Sequence, residues 1–314
     1  MTRFLATAAL TLATTSCGKK VEQAPPPPVK AAAPDAAVAV PPTAEPESSG
    51  FVEVAGFATP ESVLVVEGQE YYLVSNINGG PLDIDDNGFI SKVGVDGTIL
   101  EQKWIDGGSD KVTLSAPKGM ATFGGKLYVA DITSVRMFDA ATGAPTGEFA
   151  IEGASFLNDM AAGSDGVYVS DTGVDGTFKG NGKHAIYKLD AAGKATKFVA
   201  GEGFEAPNGV LFHDGQVWVA SFGSKEFYRV DGGKKVDVQS MPTGGLDGLD
   251  HLGDGRLVVS SWEGKTVYVG RPGAAFTAMI SDVESPADIA VDRARKKILV
   301  PTFGGNTVRL YNYK

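Results

Sequence analysis

Glu61, Asn158, Asn208 and Asp247 each hold the second place of a four-residue motif that recurs along the chain. The six copies are Pro60-Glu61-Ser62-Val63, Pro117-Lys118-Gly119-Met120, Leu157-Asn158-Asp159-Met160, Pro207-Asn208-Gly209-Val210, Leu246-Asp247-Gly248-Leu249 and Pro286-Ala287-Asp288-Ile289. Brought together, two carboxylates and two amide carbonyls make an all-oxygen site for a hard divalent cation, Ca²⁺ first, with Mg²⁺ or Zn²⁺ as alternatives. Zinc suits it least, because no His or Cys holds a second place. Such a cation polarises a carbonyl and stabilises the oxyanion formed on attack, which is the chemistry of metal-assisted hydrolysis. The competing explanation is turn chemistry, since Asn-Gly and Asp-Gly favour tight turns before a strand. Turns account for the Asn or the Asp alone, but not for Glu61 in a copy whose register is otherwise kept. Lys118, in the second copy, is a candidate substrate contact, with an ion pair to a nearby acid or a solvent-facing position as alternatives.

Those residues can meet only if the chain closes on itself. The second places fall at 61, 118, 158, 208, 247 and 287, so the steps are 57, 40, 50, 39 and 40 residues. Each copy is followed by a second apolar strand, such as Lys126-Leu127-Tyr128-Val129-Ala130 or Gln216-Val217-Trp218-Val219-Ala220. Third and fourth strands follow, as in Ala185 to Asp190 and Ala195 to Val199, and no 3.6-residue periodicity interrupts them. Units of about 40–50 residues with four strands each are the signature of propeller blades. The predicted fold is all-β, a six-bladed β-propeller over 51–314. The last unit ends after its third strand, Thr307 to Tyr311, while Phe51 to Ala55 belongs to no other blade. That N-terminal strand is expected to close the ring in the last blade and remove an exposed edge.

With the motifs in view, the chain from about Phe51 onward resembles the gluconolactonase, regucalcin (senescence marker protein) and luciferin-regenerating enzyme family. The resemblance rests on Glu61 in the first blade, Asn158-Asp159 in the third, Pro207-Asn208-Gly209 in the fourth and Leu246-Asp247-Gly248-Leu249 in the fifth. It implies that Glu61, Asn208 and Asp247 bind a divalent metal and that Asn158 is a ligand or a substrate contact. It also implies that Asp247 is the general base. Serum paraoxonases share a similar arrangement. Two positions depart from the family pattern. Pro60-Glu61-Ser62 replaces Glu-Gly-Pro, and Phe156 stands where an Arg usually holds a sugar lactone. The second departure points to a less polar lactone or ester.

The remaining features set the setting. Arg3, an apolar run from Phe4 to about Ala13 and small residues before Cys17 describe a secretory signal over 1–16. Cys17, the only cysteine, resembles a bacterial lipoprotein cleavage and lipidation site, although Thr14 stands where Leu is usual. Residues 17–50, rich in Pro and Ala, read as an extended tether. The expected location is therefore the bacterial cell envelope, on the outer membrane or facing the periplasm, with the membrane touched only through the lipid. A net charge of −10 argues against a nucleic-acid partner. Asp83 to Gly88 matches the first half of a calcium loop, but Gly94 stands at its twelfth place, so an EF-hand is excluded and a peripheral cation or a plain turn remain. Residues 172–184, with glycines at 173, 176, 180 and 182, read as a rim that could cover a substrate. His251, four residues past Asp247, is either a proton shuttle or an ordinary strand histidine.

Two functions fit. One is a lipid-anchored, divalent-metal-dependent hydrolase of a small-molecule lactone or ester, acting as a monomer. The other is a non-catalytic propeller of the cell envelope that binds a ligand or a protein, which the missing Arg favours.

Overall fold

The computed structural model describes residues 50–314, except residue 202. The expected signal peptide, the lipidated Cys17 and the tether as far as residue 49 lie outside these residues. The described residues form 24 β-strands and no helix. None of their segments is a helix long and apolar enough to cross a membrane.

The strands make six four-stranded antiparallel sheets. Blades 1 to 5 use consecutive strands over 60–106, 117–150, 157–200, 207–240 and 246–280. Blade 6 takes three strands from 290–312, and its outermost strand is Phe51–Ala55. That strand pairs antiparallel with Thr307–Asn312, from Phe51 opposite Tyr311 to Ala55 opposite Thr307. Arg309 and Glu53 cross the pair at 2.8 Å. The expected closure is therefore present.

Strand composition follows distance from the axis. The second strand of blade 3, Val167–Asp171, is buried along its whole length, as expected for a run clamped between neighbouring blades. The outer strand Pro145–Ala150 of blade 2 is exposed at nearly every position and carries Thr146 and Glu148. Among the described residues, apolar side chains collect in six larger clusters, each between two adjacent blades, and a small seventh around Ile77, Ala116 and Ile132. One joins Tyr128 and Val135 to Val169 and Tyr187, and another joins Tyr72 and Val74 to Leu299 and Leu310 across the closure. The hydrophobic core is thus a ring around a polar axis.

Each of the first five inner strands carries a β-bulge at the same place, between the first and fourth motif residues. A bulge inserts one unpaired residue and re-aims a side chain. Here it lets two successive motif residues face the axis at different depths. Asn158 lines a cavity at one end of the channel and Asp159 lines a smaller one at the other.

The motif glycines answer a different demand from the tight turn that is the competing explanation for Asn-Gly and Asp-Gly. Gly119, Gly209 and Gly248 lie inside strands and none has a positive φ. A Cβ on Gly209 would sit 2.1 Å from the Asp247 carbonyl oxygen of the next blade, and one on Gly248 would sit 2.3 Å from the Ile289 nitrogen. These glycines permit inner strands to approach one another. Gly209→Ala is expected to lower unfolding free energy by about 1–3 kcal/mol, as overpacking does. Gly176→Ala, where a Cβ would meet nothing within 4 Å, is expected to leave the urea midpoint unchanged. Equal midpoints for the two variants would refute the close-approach account.

Candidate functional site

The inner strands bring Glu61, Lys118, Asn158, Asn208 and Asp247 to the floor of one cavity of about 610 Å³. All five are buried, with Glu61 the most exposed at 6%. Glu61 follows Pro60, which pairs with Asn76 as Pro117 pairs with Asp131, so its register matches the other blades despite the altered tripeptide. Ala287, at the sixth second place, is buried and offers no donor side chain.

Two of the four oxygen donors are aimed by neighbours. The Asn158 amide Nδ2 donates to Thr172 Oγ1 at 3.0 Å, and that hydroxyl donates to the Pro207 carbonyl at 3.0 Å. This arrangement fixes which end of the amide is the carbonyl. Trp262 Nε1 donates to Asp247 Oδ2 at 2.7 Å. Among the described residues, eight buried side-chain polar atoms have no hydrogen-bond partner. Four of the eight are Glu61 Oε2, Asn158 Oδ1, Asn208 Oδ1 and Asp247 Oδ1. Buried acceptors without partners cost about 1–3 kcal/mol each unless something satisfies them. One unsatisfied oxygen from each of four different blades, two of them anionic when ionised, fits a hard divalent cation. No cluster of three or more His, Cys, Asp or Glu with metal-holding geometry occurs among the described residues, so amide oxygens must make up half of any such set.

The electrostatics agree. Burial pushes Glu61 well above the ordinary carboxyl range, with Asp247 and Asp288 adding like-charge repulsion and Lys118 opposing them. Asp247 is pushed up to about 7 by burial, against the Trp262 hydrogen bond. One level deeper, Asp159 is held up at about 8, again chiefly by burial. Burial and the Asp159 and Asp247 charges raise Asp288 as well. Lys118 is brought down to about 8 by burial, with Glu61 and Asp131 attracting its charge. Its ammonium donates to the Ala116 carbonyl at 3.0 Å and lies 4.5 Å from the Phe156 ring centre. Lys118 therefore points inward, and no ion pair to an acid forms.

Above the polar floor stands an apolar collar that the motif did not announce. One residue past the second strand of each blade come Ile77, Ile132, Thr172, Phe222, Trp262 and Phe303. All but Ile132 line the cavity. Phe222, Trp262 and Phe303 form an aromatic arc, with ring centres 5.6 and 5.2 Å apart. The 172–184 segment completes the wall through Val174, Phe178 and His184, with Phe178 edge-on to Phe156 at 6.1 Å. The Asp83–Gly88 stretch forms a turn held by its own carboxylates, with Asp85 accepting from the Asn87 amide at 2.6 Å. His251 lies at the far end of its strand, stacked on His213 at 4.0 Å and away from the cavity, which removes it as a shuttle. Burial, Arg293 and His213 lower it to about 4.

No protein-family model matches the chain, and no curated protein matches it in sequence. Its fold is shared with solved structures. It is similar to a gluconolactonase from Xanthomonas campestris, with a TM-score of 0.63 and 16% identity, covering 84% of this chain and 89% of that one. A streptogramin B lyase gives a TM-score of 0.62 at 11% identity, covering 86% of this chain and all of the other. A luciferin-regenerating enzyme gives 0.58 at 13% identity, covering 84% and 95%. Two of the three carry the names of the family that the motifs resemble, and at these identities the likeness is one of fold.

The raised carboxyls make stability fall with pH. The unfolded chain releases these protons near the ordinary value of 3.8, whereas folded Asp247 holds its proton to about 7 and Asp159 to about 8. Their contribution is full below pH 4 and is lost as pH climbs through that window. A cation that prefers ionised oxygens opposes the loss. The metal-free melting temperature is thus expected to drop between pH 5 and pH 8, and the increment from added calcium to grow over the same interval. A calcium increment independent of pH would place the ion elsewhere.

Proposed function

We propose that the protein is a divalent-metal-dependent hydrolase of a small-molecule lactone or ester. Glu61, Asn158, Asn208 and Asp247 would hold the cation, for which calcium suits the oxygen set best. The observation that carries the reading is the set of four unpartnered buried oxygens at the floor of an apolar cavity. When bound, the cation would polarise the substrate carbonyl and stabilise negative charge on its oxygen.

The chain's own residues supply the remainder. Trp262 and Thr172 lock the donor atoms of Asp247 and Asn158, so little reorganisation is needed as charge develops. Lys118 places an ammonium in the cavity floor, where a carbonyl or carboxylate oxygen of the substrate would meet it. The family resemblance implies Asp247 as general base, although an Asp247 that holds the cation would leave proton transfer to another group. The collar of Ile77, Phe222, Trp262 and Phe303 would take up the apolar part of the substrate and exclude water. A sugar lactone would lose the hydrogen bonds of its hydroxyls against that wall. The substrate is accordingly an apolar lactone or ester, and export on a lipidated Cys17, as a monomer, would place the activity at the cell envelope.

Phe156 in place of a sugar-holding Arg also suits a propeller that binds an apolar ligand without turning it over. Asp247→Asn is expected to reduce hydrolysis of an apolar lactone or aryl ester by at least about 10²-fold, the scale of one charge-stabilising group, and to remove the calcium increment in melting temperature. Turnover across a broad panel of lactones and esters, with apolar ones preferred over sugar lactones, is the supporting result. Tight apolar-ligand binding without turnover would select the binding propeller.

A further inference from the structure

We infer that His184 is the proton-transfer residue of this cavity, an assignment that rests on the hydrolase reading. His184 closes the 172–184 segment immediately before the third strand of blade 3, Ala185–Leu189, and lines the same cavity as Asp247. Its Nδ1 lies 2.8 Å from the Thr172 carbonyl oxygen and 3.2 Å from the Ala206 amide nitrogen, whose N–H is directed at it. The two contacts call for opposite tautomers, because a carbonyl oxygen only accepts and an amide N–H only donates. In the proposed tautomer the shorter contact prevails, so Nδ1 carries the hydrogen and Nε2 keeps its lone pair. Among the described residues Nε2 has no hydrogen-bond partner.

The surrounding backbone is shaped to the ring. Gly173 has φ +66°, and a Cβ there would come within 2.6–2.9 Å of the His184 backbone and Nδ1. Gly180, also in the cavity wall, would place a Cβ 3.6 Å from Cε1 and 3.8 Å from Nε2. Gly173 thus leaves the room that the ring occupies, and Gly180 lies beside Cε1 and Nε2 without crowding them. Thr172 ties it to the floor, because the residue whose carbonyl holds Nδ1 is the one whose hydroxyl aims Asn158.

The chemistry leaves a vacancy that such a group fills. Asp247 Oδ2 is engaged by Trp262, and Oδ1 belongs to the ring of unpartnered oxygens. An oxygen that holds a cation is a poor base toward water. Hydrolysis must remove one proton from the attacking water and place one on the departing alkoxide. In the proposed step, His184 Nε2 accepts the water proton as the oxygen–carbon bond forms. The same proton passes to the leaving oxygen as the carbon–oxygen bond breaks, which regenerates neutral imidazole and yields a hydroxy acid from a lactone.

The test separates proton transfer from mere strapping. His184→Asn places an amide nitrogen near the Nδ1 position, so it keeps the bond to Thr172 while removing Nε2. On the best apolar lactone or ester found for the wild type, kcat is expected to fall about 10²–10⁴-fold, the range for general acid–base catalysis. KM, melting temperature and the calcium increment should stay close to wild type. Added imidazole should restore kcat in His184→Ala, which a strap would not allow. If His184→Asn is destabilised, that rescue decides: recovery supports the assignment and its absence overturns it. Retention of kcat within about threefold in His184→Asn overturns the assignment while leaving the hydrolase reading intact. A wild type that turns over no lactone or ester overturns both.

Discussion

Six inner strands can converge on one axis only if the side chains where they meet are absent or mutually satisfied. This chain uses both solutions at the third motif place. In blades 2, 4 and 5 the residue is Gly119, Gly209 or Gly248, and the backbone of the next blade occupies the space a Cβ would need. In blades 1, 3 and 6 it is Ser62, Asp159 or Asp288. Ser62 Oγ donates to Asp288 at 2.5 Å, and Asp159 accepts from the Val210 amide at 2.6 Å, so polar groups of neighbouring blades satisfy one another. The second place, one level nearer the cavity, inherits its convergence from this packing. Oxygen-bearing side chains from four blades line one cavity floor because the strands carrying them are pressed together beneath it.

The propeller was legible because its evidence is repetitive. Six copies of one motif, each followed by an apolar strand, leave few other folds, and Phe51 to Ala55 was the one strand without a home. The ring residues were legible for the same reason. What the motif concealed lies at positions that contribute through a partner. Thr172 and Trp262 act on Asn158 and Asp247 across two strands of the same blade, and each differs in type from its counterparts in the other blades. Their signal was positional, one residue past each second strand, and a column reading Ile, Ile, Thr, Phe, Trp, Phe carries no chemistry until it is seen to stand above the floor. Lys118 was ambiguous because a lysine beside a strand start can face either way. Burial among Phe156, Ala116 and the channel decides it.

The glycines show how a correct pattern can carry a mistaken cause. Asn208-Gly209 and Asp247-Gly248 look like turn dipeptides, yet both glycines sit in extended backbone. The turns of these blades lie elsewhere, for example at Gly232-Gly233, where φ is +54° and +75°. The relevant distinction is whether glycine is needed for its own dihedral or for a neighbour's approach. Sequence alone does not separate the two.

Charge along the axis explains why the ring mixes amides with acids. Four ionised carboxylates in an apolar shaft would repel one another across a low-dielectric space. The deeper pair avoids this by holding protons, Asp159 to about 8 and Asp288 well above its ordinary value. Asp159, held at about 8, carries little charge at neutral pH, and burial raises Asp288, Glu61 and Asp247 in the same direction. Asn158 and Asn208 offer carbonyl oxygens without adding to the repulsion. A ring of four acids would add to that repulsion, whereas here burial favours the protonated forms of the two acids, Glu61 and Asp247. Phe222, Trp262 and Phe303 line the cavity above this floor, so the buried acids stand beneath a largely apolar wall. The same wall that would take up the proposed apolar substrate also surrounds the acids beneath it.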